Sequence, residues 1–125
     1  MVKKRKIKNV LIIDDEIMII NLFKRVLENM GYKVRTASSG EEGLKILKNK
    51  IFDLIFLDIR MTGMDGYAVF NSMDKENQDN VVFLSGDTLS PEAYHFSRTH
   101  NIPFIKKPIG IDELKDFLSS ISTNS

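Results

Sequence analysis

The chain has 125 residues, of which 42% are hydrophobic and 28% charged, and its 18 basic side chains nearly balance 17 acidic ones. This composition is typical of one soluble globular domain and gives no overall argument for binding nucleic acid. There is no cysteine, which excludes disulfides, thiolate catalysis and cysteine-ligated metals. No apolar run approaches the ~20 residues that span a bilayer, and the basic N-terminus is not a signal peptide, so we expect a cytoplasmic protein that does not enter a membrane.

The first half of the chain predicts three strands and two helices. Short apolar runs indicate strands covered on both faces, and apolar residues at three- and four-residue spacing indicate helices. Gly31 ends the first helix at a left-handed position, and Ser39 with Glu42 forms a capping box that begins the second. Lys33 and Arg35 alternate outward in the second strand, as on the edge of a sheet. The predicted elements are strand 10–13, helix 19–30, strand 32–37, helix 39–49 and strand 54–57, which leads into Asp58.

The second half continues the same alternation. Ser90 and Pro91 are predicted as the N-cap and the first residue of the fourth helix. Asp112 and Glu113 lie in the first turn of the last helix, where its dipole favours acidic side chains. The predicted elements are helix 66–73, polar loop 74–80, strand 81–84, helix 90–100, strand 102–105 and a final helix striped with apolar residues up to 121.

Strand and helix therefore alternate five times. This pattern predicts an α/β fold, a single doubly wound (βα)5 domain of the flavodoxin-like type, with helices on both faces of a parallel five-stranded sheet in the order 2-1-3-4-5. We expect the domain to occupy residues 1–125, with a core from about 8 to 121 and short termini at 1–7 and 122–125.

Reactive or charged side chains follow four of the five predicted strands. In the order 2-1-3-4-5 the first and third strands flank the switch point, so Asp14, Asp15 and Asp58 converge there, with Ser85 and Lys107 arriving from the fourth and fifth strands. Each residue alone also has an ordinary explanation, such as a helix N-cap, a turn or a surface lysine. Asp58 resists such an explanation best, because the end of a buried central strand is a costly place for a free charge. The convergence of all five residues predicts a functional site.

The residue types at this site indicate phosphoryl transfer. Three neighbouring carboxylates repel one another unless a cation joins them, and oxygen ligands without His or Cys suit Mg²⁺. A carboxylate nucleophile, a divalent ion, the fixed cation of Lys107 and the hydroxyl of Ser85 are the parts that phosphoryl transfer needs. The predicted product is an acyl phosphate on Asp58.

With these residues placed, the chain resembles the receiver domain of response regulators in two-component signalling. The resemblance extends from about Lys8 to Ile121 and rests on the motifs LIIDDE, LDIRMTGMDG, FLSGD and FIKKP, in that order. It implies the following roles: Asp58 as phosphoacceptor, Asp15 as a direct Mg²⁺ ligand, Asp14 as a ligand mainly through water, the Arg60 backbone carbonyl as a further ligand, Lys107 as partner of the phosphoryl oxygens, Ser85 as switch hydroxyl and Phe104 as switch aromatic. It also implies a cis bond between Lys107 and Pro108. From the residues alone, Phe104 would be ordinary core.

The resemblance also implies partners and an output. A sensor histidine kinase or a histidine phosphotransfer protein would supply the phosphoryl group, and the switch would reshape the surface of the fourth helix, fifth strand and last helix for an unidentified protein target. We expect a monomer or a phosphorylation-dependent dimer and, since no helix-turn-helix segment is present, no direct DNA binding. Many family members have proline where this chain has Thr62, which leaves the order of that loop open. The segment from Ser85 to Pro108 also resembles receivers attached to hybrid histidine kinases.

Two other functions compete with this interpretation. Small Mg²⁺-dependent phosphatases of the haloacid dehalogenase type also use a strand-end aspartate, but theirs follows the first strand in a DxD pattern that Asp14-Asp15-Glu16 lacks. An interaction module that is never phosphorylated is the second alternative, although its usual sign, the loss of Asp58 or Lys107, is missing here. We therefore expect a phosphoacceptor that catalyses its own phosphoryl transfer and dephosphorylation, and not a stand-alone enzyme.

Arg60 and Asp87 each lie two residues beyond a predicted site residue, one cationic and one anionic. If they pair across the phosphoryl group and obstruct the attacking water, then Arg60→Ala and Asp87→Ala will each shorten the phosphorylated lifetime. The alternative is two solvated side chains. Dephosphorylation rates decide between them, because unchanged rates in both variants would end the idea.

Overall fold

A computed structural model describes residues 4–86 and 90–123 of the chain. Strands and helices alternate, with one additional short helix between the third and fourth strands. The strands are β1 (Asn9–Ile13), β2 (Lys33–Ala37), β3 (Leu54–Asp58), β4 (Val81–Ser85) and β5 (Phe104–Lys106). The helices are α1 (Ile17–Asn29), α2 (Gly40–Leu47), α3 (Gly66–Asn71), α4 (Lys75–Gln78), α5 (Pro91–His100) and α6 (Ile111–Ile121).

All five strands form one parallel sheet in the order β2-β1-β3-β4-β5. The predicted α/β class and strand order are confirmed. β3 is the central strand, and all five of its residues are buried. β2 lies at one edge, and its burial alternates along the strand as its exposed Lys33 and Arg35 predict. The carboxyl ends of β1 and β3 are consequently neighbours, and β4 lies on the other side of β3.

Two apolar layers pack against the sheet. On one face, α1 and α6 cover alternate residues of the strands, with Phe23 packed edge-on against Phe56 at a centroid distance of 5.2 Å. On the other face, α2, α3 and α5 cover the remaining strand residues, and Phe70 packs against Phe83 at 6.0 Å. Because β1, β3 and β4 are apolar on both sides, their sequences are continuous hydrophobic runs and not alternating ones.

The structure differs from the predictions in several local features. α2 and α3 each end two residues earlier than predicted. The polar loop 74–80 contains the helix α4, whose buried Asn77 accepts a hydrogen bond from the Phe52 amide at 3.0 Å and donates one to the Lys50 carbonyl at 3.1 Å. β5 begins at Phe104, two residues later than predicted. The capping box of α2 is only half formed, since Ser39 accepts from the Glu42 amide at 3.1 Å while the Glu42 carboxylate accepts from Ser38 instead.

The two ends of the described chain meet beside the base of the sheet. The Arg5 amide donates to the Ile121 carbonyl at 2.8 Å, and the Thr123 amide donates to the Arg5 carbonyl at 2.9 Å. The Arg5 guanidinium also donates to the Asp53 carbonyl at 3.0 Å, just before β3 begins. These bonds fix the end of α6 to the start of the central strand.

Within residues 4–86 and 90–123, the longest helices are too short and too polar to pass through a bilayer.

Gly66 closes the loop between β3 and α3. Its amide donates to the Ile59 carbonyl at 2.8 Å, and a Cβ at this position would lie 2.5 Å from the Asp58 carbonyl oxygen and 2.7 Å from the Ile59 Cα. Only glycine therefore allows α3 to begin this close to the end of β3.

We expect Gly66→Ala to lower the free energy of unfolding by about 1–3 kcal/mol, because backbone atoms must move to admit the added methyl group. Urea unfolding checks this. Gly86→Ala is the control, since an added Cβ there meets nothing within 4 Å. Equal losses in the two variants would contradict the role assigned to the close approach.

Candidate functional site

The carboxyl ends of β1 and β3 place two buried carboxylates side by side. Asp14 follows β1, where its amide donates to the Ala37 carbonyl at 3.1 Å, and its side chain is fully buried. Asp58 is the last residue of β3 and is 2% exposed. The parallel register of the strands is thus sufficient to bring together two acids that are 44 positions apart in sequence.

Lys107 supplies the compensating cation. It follows β5, and its amide donates to the Ser85 carbonyl, which extends the pairing of β4 with β5 to the end of the sheet. Its ammonium lies 2.7 Å from Asp14 Oδ2 and 3.4 Å from Asp58 Oδ2. It also lies 2.9 Å from Glu16 Oε1, and the Lys107 side chain is only 7% exposed. The peptide bond between Lys107 and Pro108 is cis, as the resemblance implied.

The electrostatics of this cluster favour a proton on Asp58. Burial and the neighbouring charge of Asp14 raise the pKa of the Asp58 carboxyl to about 7, although Lys107 acts in the opposite direction. Burial by itself would lower the pKa of the Lys107 ammonium. Hydrogen bonds to Asp14 and Glu16, with the charge of Asp58, reverse this effect and raise the pKa above its usual value. The Lys107 ammonium therefore stays charged, while the Asp58 carboxyl changes between its protonated and ionised forms near neutral pH.

The acidic cluster has the donor set of a site for a hard divalent cation. Ligand oxygens of Asp14, Glu16 and Asp58 all lie within 4.8 Å of one another. Asp14 Oδ2 is buried, and apart from its ion pair with Lys107 it accepts no regular hydrogen bond from the residues that the structure describes. A group that offers only oxygen ligands, and in which the Asp14 and Asp58 carboxylates are buried, fits Mg²⁺, which uses few protein ligands and keeps several waters.

Asp15 is placed differently from its two acidic neighbours. Its side chain is exposed, and its Oδ2 accepts a hydrogen bond from the Thr62 amide at 2.9 Å. Proline, which many members of the resembling family have at this position, has no amide proton and could not make this bond. The predicted role of Asp15 as a direct metal ligand stays a prediction, and so does the role of the Arg60 carbonyl.

The predicted switch residues lie along β4 and β5. Ser85 ends β4 and is 8% exposed, and with Arg60 it lines a polar cavity of about 340 Å³. Phe104 begins β5, opposite Phe83, and is half-buried against the aromatic layer of α3 and α5. Asp87 lies outside the described residues, so its proposed pairing with Arg60 stays a prediction.

Two residues at the site were missed by the sequence analysis. Glu16 contacts Lys107, yet in sequence it reads only as part of a helix start. Tyr67 lines the same cavity as Ser85, and its ring packs on Phe96 at a centroid distance of 4.8 Å. Burial, with the charge of Glu92, raises the pKa of the Tyr67 hydroxyl. The position of Glu16, directly after two acids at a strand end, was the signal that could have identified it.

Comparisons with known proteins show the family to which the chain belongs. The family model of the response regulator receiver domain matches residues 10–119. The chain is 30% identical over 108 residues to the transcriptional regulatory protein ZraR of Escherichia coli (strain K12), which covers 86% of this chain and 24% of ZraR. It is 32% identical over 107 residues to the response regulator SaeR of Staphylococcus aureus (strain USA300), which covers 85% of this chain and 46% of SaeR.

Solved structures give the same result. The chemotaxis protein CheY4 of Vibrio cholerae superposes with a TM-score of 0.80 at 27% identity, covering 92% of this chain and 98% of that one. The N-terminal domain of a response regulator receiver protein from Methanoculleus marisnigri JR1 gives 0.70 at 32% identity, covering 94% and 98%. The chain belongs to the response regulator receiver domain family of two-component systems. It spans a quarter to a half of the length of the two regulators named above, and attachment to a hybrid histidine kinase stays a prediction.

The pKa of Asp58 makes stability depend on pH in a defined direction. The folded chain holds the Asp58 proton up to about pH 7, whereas the ordinary value is 3.8. The contribution of the Asp58 proton to the free energy of unfolding is therefore fully present below about pH 4, falls as the pH rises towards 7, and no longer changes above that. In metal-free buffer at pH 8, we expect Asp58→Asn to raise the free energy of unfolding by about 1–3 kcal/mol.

Urea unfolding of the wild type and of Asp58→Asn, with EDTA, between pH 4 and 8 measures this difference. The gain should shrink steadily towards pH 4, because the carboxyl of the unfolded chain, with its ordinary pKa of 3.8, begins there to take up the proton that the folded chain already holds. Asp116→Asn, an exposed change of equal charge on α6, should stay within about 0.5 kcal/mol of wild type. A pH-independent gain in Asp58→Asn would mean that packing, and not ionisation, is responsible.

Proposed function

We propose that this receiver accepts a phosphoryl group on Asp58, with Mg²⁺, from a phosphohistidine of a sensor histidine kinase or histidine phosphotransfer protein. The observation that carries the proposal is the buried Asp58 carboxylate at the end of the central strand, with Lys107 and a second buried acid beside it. The domain core proposed for this reaction runs from about 8 to 121, and the proposed location is the cytoplasm.

The transfer needs no residue beyond those at the site. A carboxylate oxygen of Asp58 attacks the phosphorus, the phosphorus–nitrogen bond breaks, and the released imidazole takes a proton from solvent. Asp58 then carries an acyl phosphate, and attack by water on the phosphorus later returns the carboxylate and inorganic phosphate. Catalysis consists of positioning and charge stabilisation, since the phosphoryl oxygens carry most of the charge in the transition state.

Each neighbour of Asp58 has a distinct part in this proposal. Lys107 donates to a phosphoryl oxygen and favours the ionised, nucleophilic form of Asp58. Asp14 and Asp58, with Asp15 and the Arg60 carbonyl as the resemblance implies, would hold the metal, and Glu16 lies within the same acidic group. A bound Mg²⁺ supplies neutralisation of the negative charge that otherwise keeps an anionic phosphoryl group away.

The phosphorylated state is read at a distance from the site. Ser85 moves to donate its hydroxyl proton to a phosphoryl oxygen, and Phe104 turns into the space that Ser85 leaves. The surface of α5, β5 and α6 then changes shape, which is a two-state equilibrium biased by a local charge. The proposed readers are a protein target or a second copy of the chain, without direct contact with DNA by this domain.

A small aspartate-nucleophile phosphatase and a module that is never phosphorylated are the competing functions. Incubation with acetyl phosphate and Mg²⁺, followed by intact mass measurement, separates all three. We expect one phosphoryl adduct on the wild-type chain and none with EDTA, because the acidic cluster repels the donor when no cation is present. Asp58→Asn should abolish the adduct, since the amide is not a nucleophile at neutral pH.

Asp116→Asn is the matched control and should be phosphorylated like the wild type. Steady release of phosphate without an adduct would instead support the phosphatase. An unreactive wild type would support the interaction module.

A further inference from the structure

Hydrogen bonds hold the backbone of Glu16 at the start of α1, and its side chain contacts Lys107 in the site. Its amide donates to Asp14 Oδ1 at 2.9 Å, and its carbonyl accepts from the Ile19 and Ile20 amides, both at 3.1 Å, as α1 begins. Its side chain takes no part in capping the helix. The Glu16 carboxylate instead reaches back to the Lys107 ammonium at 2.9 Å.

The Lys107 ammonium has three protons and lies among three carboxylates. Its distances are 2.7 Å to Asp14, 2.9 Å to Glu16 and 3.4 Å to Asp58. An ammonium donates at most three hydrogen bonds, so a phosphoryl oxygen can receive one only if a present partner gives way. The lysine is therefore already engaged in the unphosphorylated chain.

The three acids differ in what they lose on releasing Lys107. Asp14 is fully buried, so without the ammonium its charge would be uncompensated in a desolvated place. Asp58 becomes the phosphoryl carrier itself. The Glu16 side chain is 60% exposed, and water can replace the lysine there at little cost.

We infer that Glu16 is a positioning residue that holds Lys107 in the unphosphorylated chain and yields it to the incoming phosphoryl oxygen. This inference rests on the proposed function of Asp58. In the unphosphorylated chain Glu16 holds the Lys107 ammonium and so competes with the phosphoryl group for it. The strength of the contact between Glu16 and Lys107 therefore sets part of the free energy of phosphorylation.

Beryllofluoride, which mimics a phosphoryl group on an aspartate, tests the competition. At saturating Mg²⁺, Glu16→Gln should bind beryllofluoride about two- to fivefold more tightly than the wild type, the range that an exposed ion pair supports. Glu28→Gln is the matched control, because it removes the same charge from the exposed end of the same helix. It should bind like the wild type.

A second measurement tests the contact without metal or ligand. The ammonium protons of Lys107, observed by ¹⁵N-resolved NMR in the metal-free chain, should exchange with water measurably faster in Glu16→Gln and unchanged in Glu28→Gln. A general loss of stability would not produce faster exchange at Lys107 together with tighter beryllofluoride binding in Glu16→Gln and neither effect in Glu28→Gln. An unchanged Lys107 signal in Glu16→Gln would overturn the inference.

Titration with Mg²⁺ alone separates an anchor from a metal-site acid. A large loss of Mg²⁺ affinity in Glu16→Gln, with no gain for beryllofluoride at saturating Mg²⁺, would make Glu16 part of the metal site and overturn the inference. A wild type that fails to bind beryllofluoride would overturn the proposed function itself. A wild type that binds normally beside an unchanged Glu16→Gln would overturn only the role of Glu16.

Discussion

The acidic end of the sheet depends on one ammonium group. Asp14 and Asp58 are both buried, and each would carry an uncompensated charge without Lys107 at 2.7 and 3.4 Å. Buried ion pairs of this kind contribute little net stability, because desolvation offsets the attraction. Their presence at the end of β3 is therefore better explained by chemistry than by folding, and the raised pKa of Asp58 expresses the same conflict.

The apolar layers of the fold offset the unfavourable burial of these charged groups. β1, β3 and β4 are covered on both faces by helices, so the backbone that carries the acids has little freedom to relax away from them. Gly66 closes the following loop directly onto the Asp58 carbonyl. The charged groups are thus held by elements whose own stability comes from apolar burial far larger than the electrostatic cost.

Most of the fold was predictable from the sequence, because strand–helix alternation and doubly buried strands leave few arrangements of a parallel sheet. α4 was not, since its polar residues have no apolar periodicity and its buried Asn77 bonds to the Phe52 amide and the Lys50 carbonyl, which only the fold brings near. The late start of β5 has a similar cause. Ile102 is buried in the same apolar layer as the strand residues, and an apolar residue at this position in the sequence therefore looks like part of a strand.

The site was predictable to the extent that it follows from strand ends. Asp14, Asp58 and Lys107 meet because parallel strands end on the same edge of the sheet. Which of several nearby groups each acidic side chain contacts could not be predicted from the strand ends. Asp15 contacts a loop amide and Glu16 contacts Lys107, and both outcomes depend on distances that exist only in the folded chain.

The hydrogen bond from the Thr62 amide to Asp15 limits which residue types position 62 can hold without losing that bond. The donor is the backbone, so nineteen of the twenty residue types could keep the bond and only proline removes it. At position 62, residue types therefore differ in one respect only for this bond: all except proline have the backbone N–H that it needs. Any residue other than proline lets the loop after β3 hold Asp15, which lies between β1 and α1. Proline gives up that hydrogen bond for a stiffer loop and leaves Asp15 without this partner.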